Sequence, residues 1–217
     1  MRRLLLLGLV IVALPGCPLF ISPYVTVEPE VNLKGKTLLV IPFSDAENTY
    51  FASRDGEALA SMVIQEVRRG AKRARVVDPD EVQRLFPGQD PEAVGWQRVG
   101  QAVGADYVLV GHIDTLTVRD PKDPNLYMGT LAVRLKVVDT VDGSLVYSVV
   151  PPESRYRWSA SGHPDIGMSD FDISEEQVRA NTLALGTRRI GDIFCPRKIP
   201  RGEYQRRQRN RVRMIAP

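Results

Sequence analysis

Cysteine and histidine are scarce in this chain of 217 residues, which has two of each. Two cysteines are too few for the disulfide framework of small secreted domains, and two histidines are too few for a histidine-rich metal site. Aromatic residues make up 7% of the chain, hydrophobic residues 43% and charged residues 25%. These are ordinary globular values, so they exclude collagen-like, coiled-coil and wholly disordered proteins. The length predicts one compact domain.

Long hydrophobic runs are also missing. The most extended apolar segment, Leu4–Leu14, has eleven residues, whereas a membrane-spanning helix needs about 20. The segment follows Arg2 and Arg3, and this order of basic and apolar residues is typical of a secretory signal. We therefore predict export from the cytoplasm, which excludes cytoplasmic nucleic acid as a partner.

The apolar segment ends in Leu14-Pro15-Gly16-Cys17, which resembles the lipobox of bacterial lipoproteins. In that family the signal is cleaved before the cysteine, which then carries palmitate or related acyl chains. The resemblance implies a signal peptide over 1–16 and a membrane anchor at Cys17. Pro18 stands where proteins retained at the inner membrane have aspartate, which favours the outer membrane, facing the periplasm. A plain secretory signal with an incidental cysteine is the alternative.

Composition divides the rest of the chain into three parts. Residues 17–35 contain proline without periodicity, so we predict a lipidated cysteine followed by a linker. Residues 36–195 are predicted as one α/β domain with a long loop at 151–173. Residues 196–217 contain eight basic residues and one acidic residue, and such blocks of like charge resist compaction. We predict a basic, disordered tail there.

Hydrophobic periodicity predicts a mixed sheet of about five strands with helices packed on it, in the order βαβααβββα. Ser53 is predicted to cap the first helix, and Ser174-Glu175-Glu176-Gln177 has the pattern of a capping box. The predicted strands cover residues 37–43, 74–77, 107–113, 131–138 and 144–150.

Four segments resemble a superfamily of bacterial envelope domains that includes the amino-terminal domain of TolB, LpoB and CsgG. They are Lys36–Phe43, Arg75–Asp78, Gly104–Gly111 and the strand pair at 130–148. The resemblance implies a non-enzymatic domain that binds envelope proteins or builds oligomers, with no catalytic residue to carry over. The linker is shorter than in LpoB-like proteins. The connection at 117–129 is predicted to be brief and polar, unlike the membrane-inserting hairpins of CsgG-like pores.

Catalytic and metal-binding signatures are weak. The chain has neither a phosphate-binding glycine loop nor a G-x-S-x-G motif. Ser159, Ser161 and His163 share one predicted loop, and adjacency in a loop does not make a catalytic triad. His163 and three nearby aspartates lack EF-hand spacing. We therefore predict no enzymatic activity, no cofactor and no metal site.

Two further residues are predicted to be structural. His112 lies in the apolar run of a central strand, where a hydrogen-bonded structural histidine is expected. Cys195 is predicted to be a small buried hydrophobe beside Phe194. An intermolecular disulfide through Cys195 is the alternative, because a single remaining thiol in an oxidising compartment often pairs between molecules.

Two basic segments are candidates for partner binding. Arg155, Tyr156, Arg157 and Trp158 combine cations with amphipathic rings, as interfaces often do, although Tyr156 and Trp158 would equally well extend the sheet. The tail adds cations that attract a lipid surface or an acidic partner, or that are simply solvated. The sequence favours an envelope binding or scaffold lipoprotein, with a homo-oligomeric export or transport component as the alternative. The tail residues proposed for contact are Arg206, Arg207, Arg209 and Arg211.

Overall fold

The computed structural model describes residues 22–45, 53–149, 154–157 and 174–206. Within the chain there are two compact units, Glu28–Pro196 and a smaller one from the two chain ends. The predicted signal peptide and Cys17 lie outside the described residues, as does most of the predicted loop at 151–173.

The larger unit is a mixed α+β domain, as predicted. Its strands and helices alternate early in the chain and are followed by an antiparallel series of strands. In chain order, and numbered to leave β1 for the smaller unit, the elements are β2 (Thr37–Val40), β3 (Ser44–Asp45), α1 (Arg54–Gly70), β4 (Arg75–Val77), α2 (Asp80–Leu85), α3 (Pro91–Val94), α4 (Trp96–Ala102), β5 (Tyr107–Asp120), β6 (Asp123–Asp139), β7 (Leu145–Val149), β8 (Ser154–Arg157) and α5 (Glu175–Gly191).

The sheet has seven strands, in the order β4-β2-β5-β6-β7, with β3 paired to β5 and β8 paired to β6. The strand β2 pairs in parallel with β4 and β5, and β3 pairs in parallel with β5. The strand β6 pairs in antiparallel fashion with β5, β7 and β8. The five predicted strands are all present. The two additional ones, β3 and β8, have two and four residues, too few to give a periodic signal.

Both faces of the sheet are covered around the central strands β2 and β5, whose successive residues point to opposite sides. Leu38, Val40 and Leu109 belong to one core cluster, which includes apolar residues of α1 and α5. Leu39 and Val108 belong to another, which includes residues of α2 and α4. The central strands β2 and β5 are thus apolar on both faces, which explains their continuous hydrophobic runs.

Predicted caps fix the starts of the two long helices. The Ser53 hydroxyl accepts a hydrogen bond from the Gly56 N–H at 3.1 Å. The capping box of α5 is complete, since Ser174 and Gln177 each accept a bond from the other's backbone N–H. These bonds satisfy N–H groups that have no partner within the helix.

The hairpin of β5 and β6 is longer than predicted. The sequence predicts a brief polar connection at 117–129, but β5 continues to Asp120 and β6 starts at Asp123. Arg119 stabilises this extension, because its Nε donates to Glu175 Oε1 at 2.7 Å and its guanidinium lies 4.8 Å from the Tyr127 ring centroid. The carboxylate raises the pKa of Arg119. Such pairings between distant residues leave no local hydrophobic period.

The smaller unit is a two-stranded antiparallel pair of β1 (Tyr24–Val27) and β9 (Arg197–Pro200). Residues 201–206 continue from β9 as a helix. A strand thus replaces part of the predicted linker, and described residues of the predicted tail have regular structure. The alternating, partly β-branched sequence of β1 favours a strand, and β9 supplies its backbone partners. Where the domains begin and end stays a prediction.

Candidate functional site

Most residues with a predicted binding or anchoring role lie outside the described ranges or at their ends. Cys17, Trp158, the Ser159–His163 segment and all tail arginines beyond Arg206 are outside it. Arg206 is exposed at the end of the helical residues 201–206. The roles of these residues therefore stay predictions.

The basic and aromatic segment at 155–157 belongs to strand β8 rather than to an irregular loop. Thr130, Gly129 and Met128 of β6 pair in register with Arg155, Tyr156 and Arg157. This placement is the sheet extension that the sequence left open. Any contact with a partner would therefore be made from a strand.

A polar row crosses β3, β5 and β6, and the sequence did not predict it. The Ser44 hydroxyl lies 2.9 Å from His112 Nδ1, and Arg134 Nε donates to Asp114 Oδ1 at 2.8 Å. The register pairs Ser44 with His112 and His112 with Arg134. A bulge follows Ile113, where Asp114 is the extra residue of β5. The expected hydrogen-bonded histidine of a central strand is confirmed.

This row has the residue types of a catalytic triad without its geometry. Asp114 Oδ1 is 3.7 Å from His112 Nε2, beyond hydrogen-bond distance. A triad needs its carboxylate to hold the ring and stabilise the imidazolium. Here Arg134 takes the carboxylate instead. The arrangement therefore links neighbouring strands on an open part of the sheet.

Asp106 joins two central strands at their amino ends. Its carboxylate accepts the Thr37 N–H at 2.8 Å and lies 3.0 Å from Lys36 Nζ. The backbone bond from Thr37 is the main reason that the pKa of Asp106 lies below its usual value. The hydrogen bond that Lys36 Nζ donates to the Asp106 carboxylate raises the pKa of Lys36. In the Gly104–Gly111 segment, Asp106 is thus a structural residue.

Cys195 is buried and has a free thiol, as predicted for a small apolar residue. Burial raises its pKa to about 11. A Cβ on Gly70 would lie 2.5 Å from Cys195 Sγ, so the thiol is closely packed. An intermolecular disulfide would require this region to open.

Strand β7 forms one edge of the sheet and has exposed apolar side chains. Val141 precedes the strand and is 78% exposed, while Leu145 and Val146 are 56% and 43% exposed. Val146 is the extra residue of a bulge against β6. We call Val141, Leu145 and Val146 the β7 edge patch. Edge strands and exposed apolar residues of this kind are sites at which chains associate.

A basic cleft is present in the larger unit. It has a volume of about 380 Å³ and lies between residues 28–34, the turn after α1 and the end of α5. Lys34, Lys72 and Arg73 line it, with Leu33 and Phe194 among its apolar residues. No local pattern in the sequence predicted this cleft, because its cations come from two separate segments.

Neither metal ligands nor a spanning helix is found in the described ranges. Over residues 22–45, 53–149, 154–157 and 174–206, no three potential ligands among His, Cys, Asp and Glu gather at one point. In the same part of the chain, no helix has the length and apolarity needed to cross a bilayer.

Comparison with known proteins gives structural likeness only. No family model matches the chain, and no curated protein sequence is similar to it. The PelC dodecamer from Paraburkholderia phytofirmans is 15% identical, with a TM-score of 0.44 over 79% of this chain and 96% of that one. Lipoprotein GNA1162 from Neisseria meningitidis is 18% identical, with a TM-score of 0.43 over 56% of this chain and 83% of that one.

The LpoB C-terminal domain from Salmonella enterica is also similar, at 11% identity and a TM-score of 0.37 over 58% of this chain and 84% of that one. A named lipoprotein and a dodecamer are thus among the proteins of similar structure. Identities and scores at this level assign no function. The predicted superfamily therefore stays a prediction.

Proposed function

We propose that this chain is a lipid-anchored, extracytoplasmic lipoprotein that binds or organises other envelope proteins and has no enzymatic activity. The observation that supports the proposal most strongly is the short apolar segment that ends in the lipobox-like Leu14–Cys17. Two or more acyl chains on Cys17 would make the anchoring stable, since each buried CH₂ contributes about 0.8 kcal/mol. Pro18 at the following position, where proteins retained at the inner membrane have aspartate, favours the outer membrane.

The two cysteines provide a matched test of the anchor. Cells that produce the chain are labelled with an alkyne analogue of palmitate and then fractionated. We expect the wild type and Cys195→Ala to be labelled and to sediment with outer membranes. Cys17→Ser should lose the label and the membrane association. A Cys17→Ser chain that stays in the membrane, or a wild type without label, would show that the anchor is wrong.

Partner binding is assigned to the basic and aromatic segment Arg155–Trp158 and to the arginines of the tail. The cations attract acidic surfaces, and the rings add apolar area at low entropic cost. Deletion of residues 207–217 is the suitable test for the tail, because it keeps β9 and its pairing with β1. A crosslinked envelope partner that is captured equally well by the shortened chain would remove the tail from this assignment.

A second candidate function is a homo-oligomeric component of an export or transport complex. The β7 edge patch favours it, because apolar residues at a sheet edge can associate with a second copy. Leu145→Lys should reduce the mass of the particle in mild detergent. Leu85→Lys is the matched control, since Leu85 is 51% exposed on α2. A monomeric wild type, also after crosslinking, would eliminate this candidate.

A further inference from the structure

The basic cleft has an excess of positive charge at its rim. Lys34, Lys72 and Arg73 contribute three cations, and Glu28 is the one carboxylate among its lining residues. All three cationic residues are exposed. Below the charges lie Leu33 and Phe194, which are almost fully buried. The cleft therefore presents like charges above an apolar base.

The cleft cations differ from several paired cations of the same unit. Lys36, Arg119, Arg134 and Arg179 each lie within ion-pair distance of a carboxylate. In the described part of the chain, none of the three cleft cations has such a partner. Like charges repel one another when they converge without a counter-charge. The cleft is thus electrostatically complementary to an anionic ligand.

Arg73 is held in a conformation that favours glycine. Its φ is 67°, and it is the one non-glycine residue with a positive φ in the described ranges. The Arg73 carbonyl accepts the Gly35 N–H at 3.1 Å, which links the two segments that carry the cleft cations. Left-handed backbone is unfavourable for a side chain with a Cβ. An arginine at this position therefore has a cost in stability, which a binding role for its guanidinium would explain.

We propose that the basic cleft binds an acidic segment of a partner protein, in which carboxylate side chains flank an apolar one. The carboxylates would meet Lys34, Lys72 and Arg73, and the apolar side chain would enter towards Leu33 and Phe194. A concave site accepts a projecting peptide better than the flat surface of a bilayer. The inference rests on the proposed function, because it names the partner chemistry of the binding lipoprotein.

Crosslinking from inside the cleft tests this assignment. A photoreactive amino acid replaces Asn32, an exposed lining residue, in the full chain in the cells that produce it. We expect a protein adduct whose crosslinked peptide contains at least two carboxylates near an apolar residue. An adduct with lipid, an adduct with a peptide without carboxylates, or no adduct at Asn32 would overturn the assignment.

Substitutions separate charge from folding. Arg73→Gly removes a cation and relieves the positive φ, so its thermal midpoint should be equal to or above that of the wild type. Arg73→Gly with Lys72→Glu should reduce the adduct about tenfold. Lys122→Glu, in the β5–β6 turn and outside the cleft lining, reverses one charge as Lys72→Glu does and is the control, so it should keep the adduct. An equal loss of adduct in the double variant and in Lys122→Glu, or no loss of adduct in either of them, would contradict the proposal.

A second probe position distinguishes failure of the inference from failure of the proposed function. The photoreactive residue is placed at Arg206, an exposed residue of the tail to which partner binding is assigned. A protein adduct at Arg206 with none at Asn32 would reject the cleft and keep a binding function. No protein adduct at either position would reject both. An Asn32 adduct in a chain that fails the palmitate test would reject the anchor and keep the cleft.

Discussion

A methyl group added at Gly111 in the middle of β5 should destabilise the domain strongly. A Cβ built there lies 2.1 Å from two ring carbons of Phe43 and 3.0 Å from a third. The ring has no room to move, because Phe43 is 0% exposed and its N–H donates to the Gly56 carbonyl of α1 at 3.3 Å. Overpacking a core costs about 1–3 kcal/mol. We expect Gly111→Ala to be at the upper end, about 3 kcal/mol.

The assay is urea unfolding of a chain that begins at residue 18. An equal slope of the unfolding free energy against urea concentration in wild type and variants serves as the check on two-state behaviour. Phe43→Leu alone should cost about 1–2 kcal/mol and leave space where the ring was. In the double variant the cost of Gly111→Ala should fall, with a coupling energy of about 1–2 kcal/mol. Gly202→Ala is the control, because its Cβ would meet nothing within 4 Å. Additive costs of the two substitutions would refute the contact between Phe43 and Gly111.

Three further predictions concern charge, reactivity and capping. Asp106→Asn should lower the unfolding free energy by about 1 kcal/mol at neutral pH, a value discounted for the partial exposure of the carboxylate. Because the fold lowers the pKa of Asp106, the stabilising contribution of its carboxylate is present above the unfolded pKa and is lost on acidification. In acid titrations the wild type should therefore lose more stability than the variant between pH 5 and about 3. The Cys195 thiol, with a pKa raised to about 11, should react with iodoacetamide at pH 8 far more slowly in the native chain than in urea, and equal rates by mass spectrometry would show that it is accessible. Ser174→Ala removes half of a capping box and should lower the unfolding free energy by about 1 kcal/mol, while an unchanged urea midpoint would mean that the start of α5 carries little stability.

Local sequence predicted the elements that are apolar on both faces or carry a complete cap. β2 and β5 are continuous hydrophobic runs because helices cover both sides of the sheet there. Ser53 and Ser174 identified helix starts because capping depends on residues three positions apart. These are interactions within one turn or one strand, so the order of residues alone reveals them.

The remaining elements depend on partners far along the chain. β8 has no hydrophobic alternation, and its pairing with residues 128–131 of β6 gives it a strand conformation. The hydrogen bond between Ser44 and His112 spans 68 positions, and the bulge at Asp114 is a property of strand register. The basic cleft likewise combines Lys34 with Arg73. The sequence predicted positive charge in the tail, where arginines are close together along the chain. It did not reveal cations that only folding brings together.

The pairing of β1 with β9 has a consequence for the order in which the molecule folds. Tyr24 pairs with Pro200, so all residues between them must be synthesised before β1 meets its partner. Contacts of such large sequence separation form slowly because loop closure has to be accomplished first. A chain that terminates early would leave β1 with an open hydrogen-bonding edge, and such edges recruit strands from other molecules. Copies that include β9 would thus be less prone to aggregation than fragments that end before it.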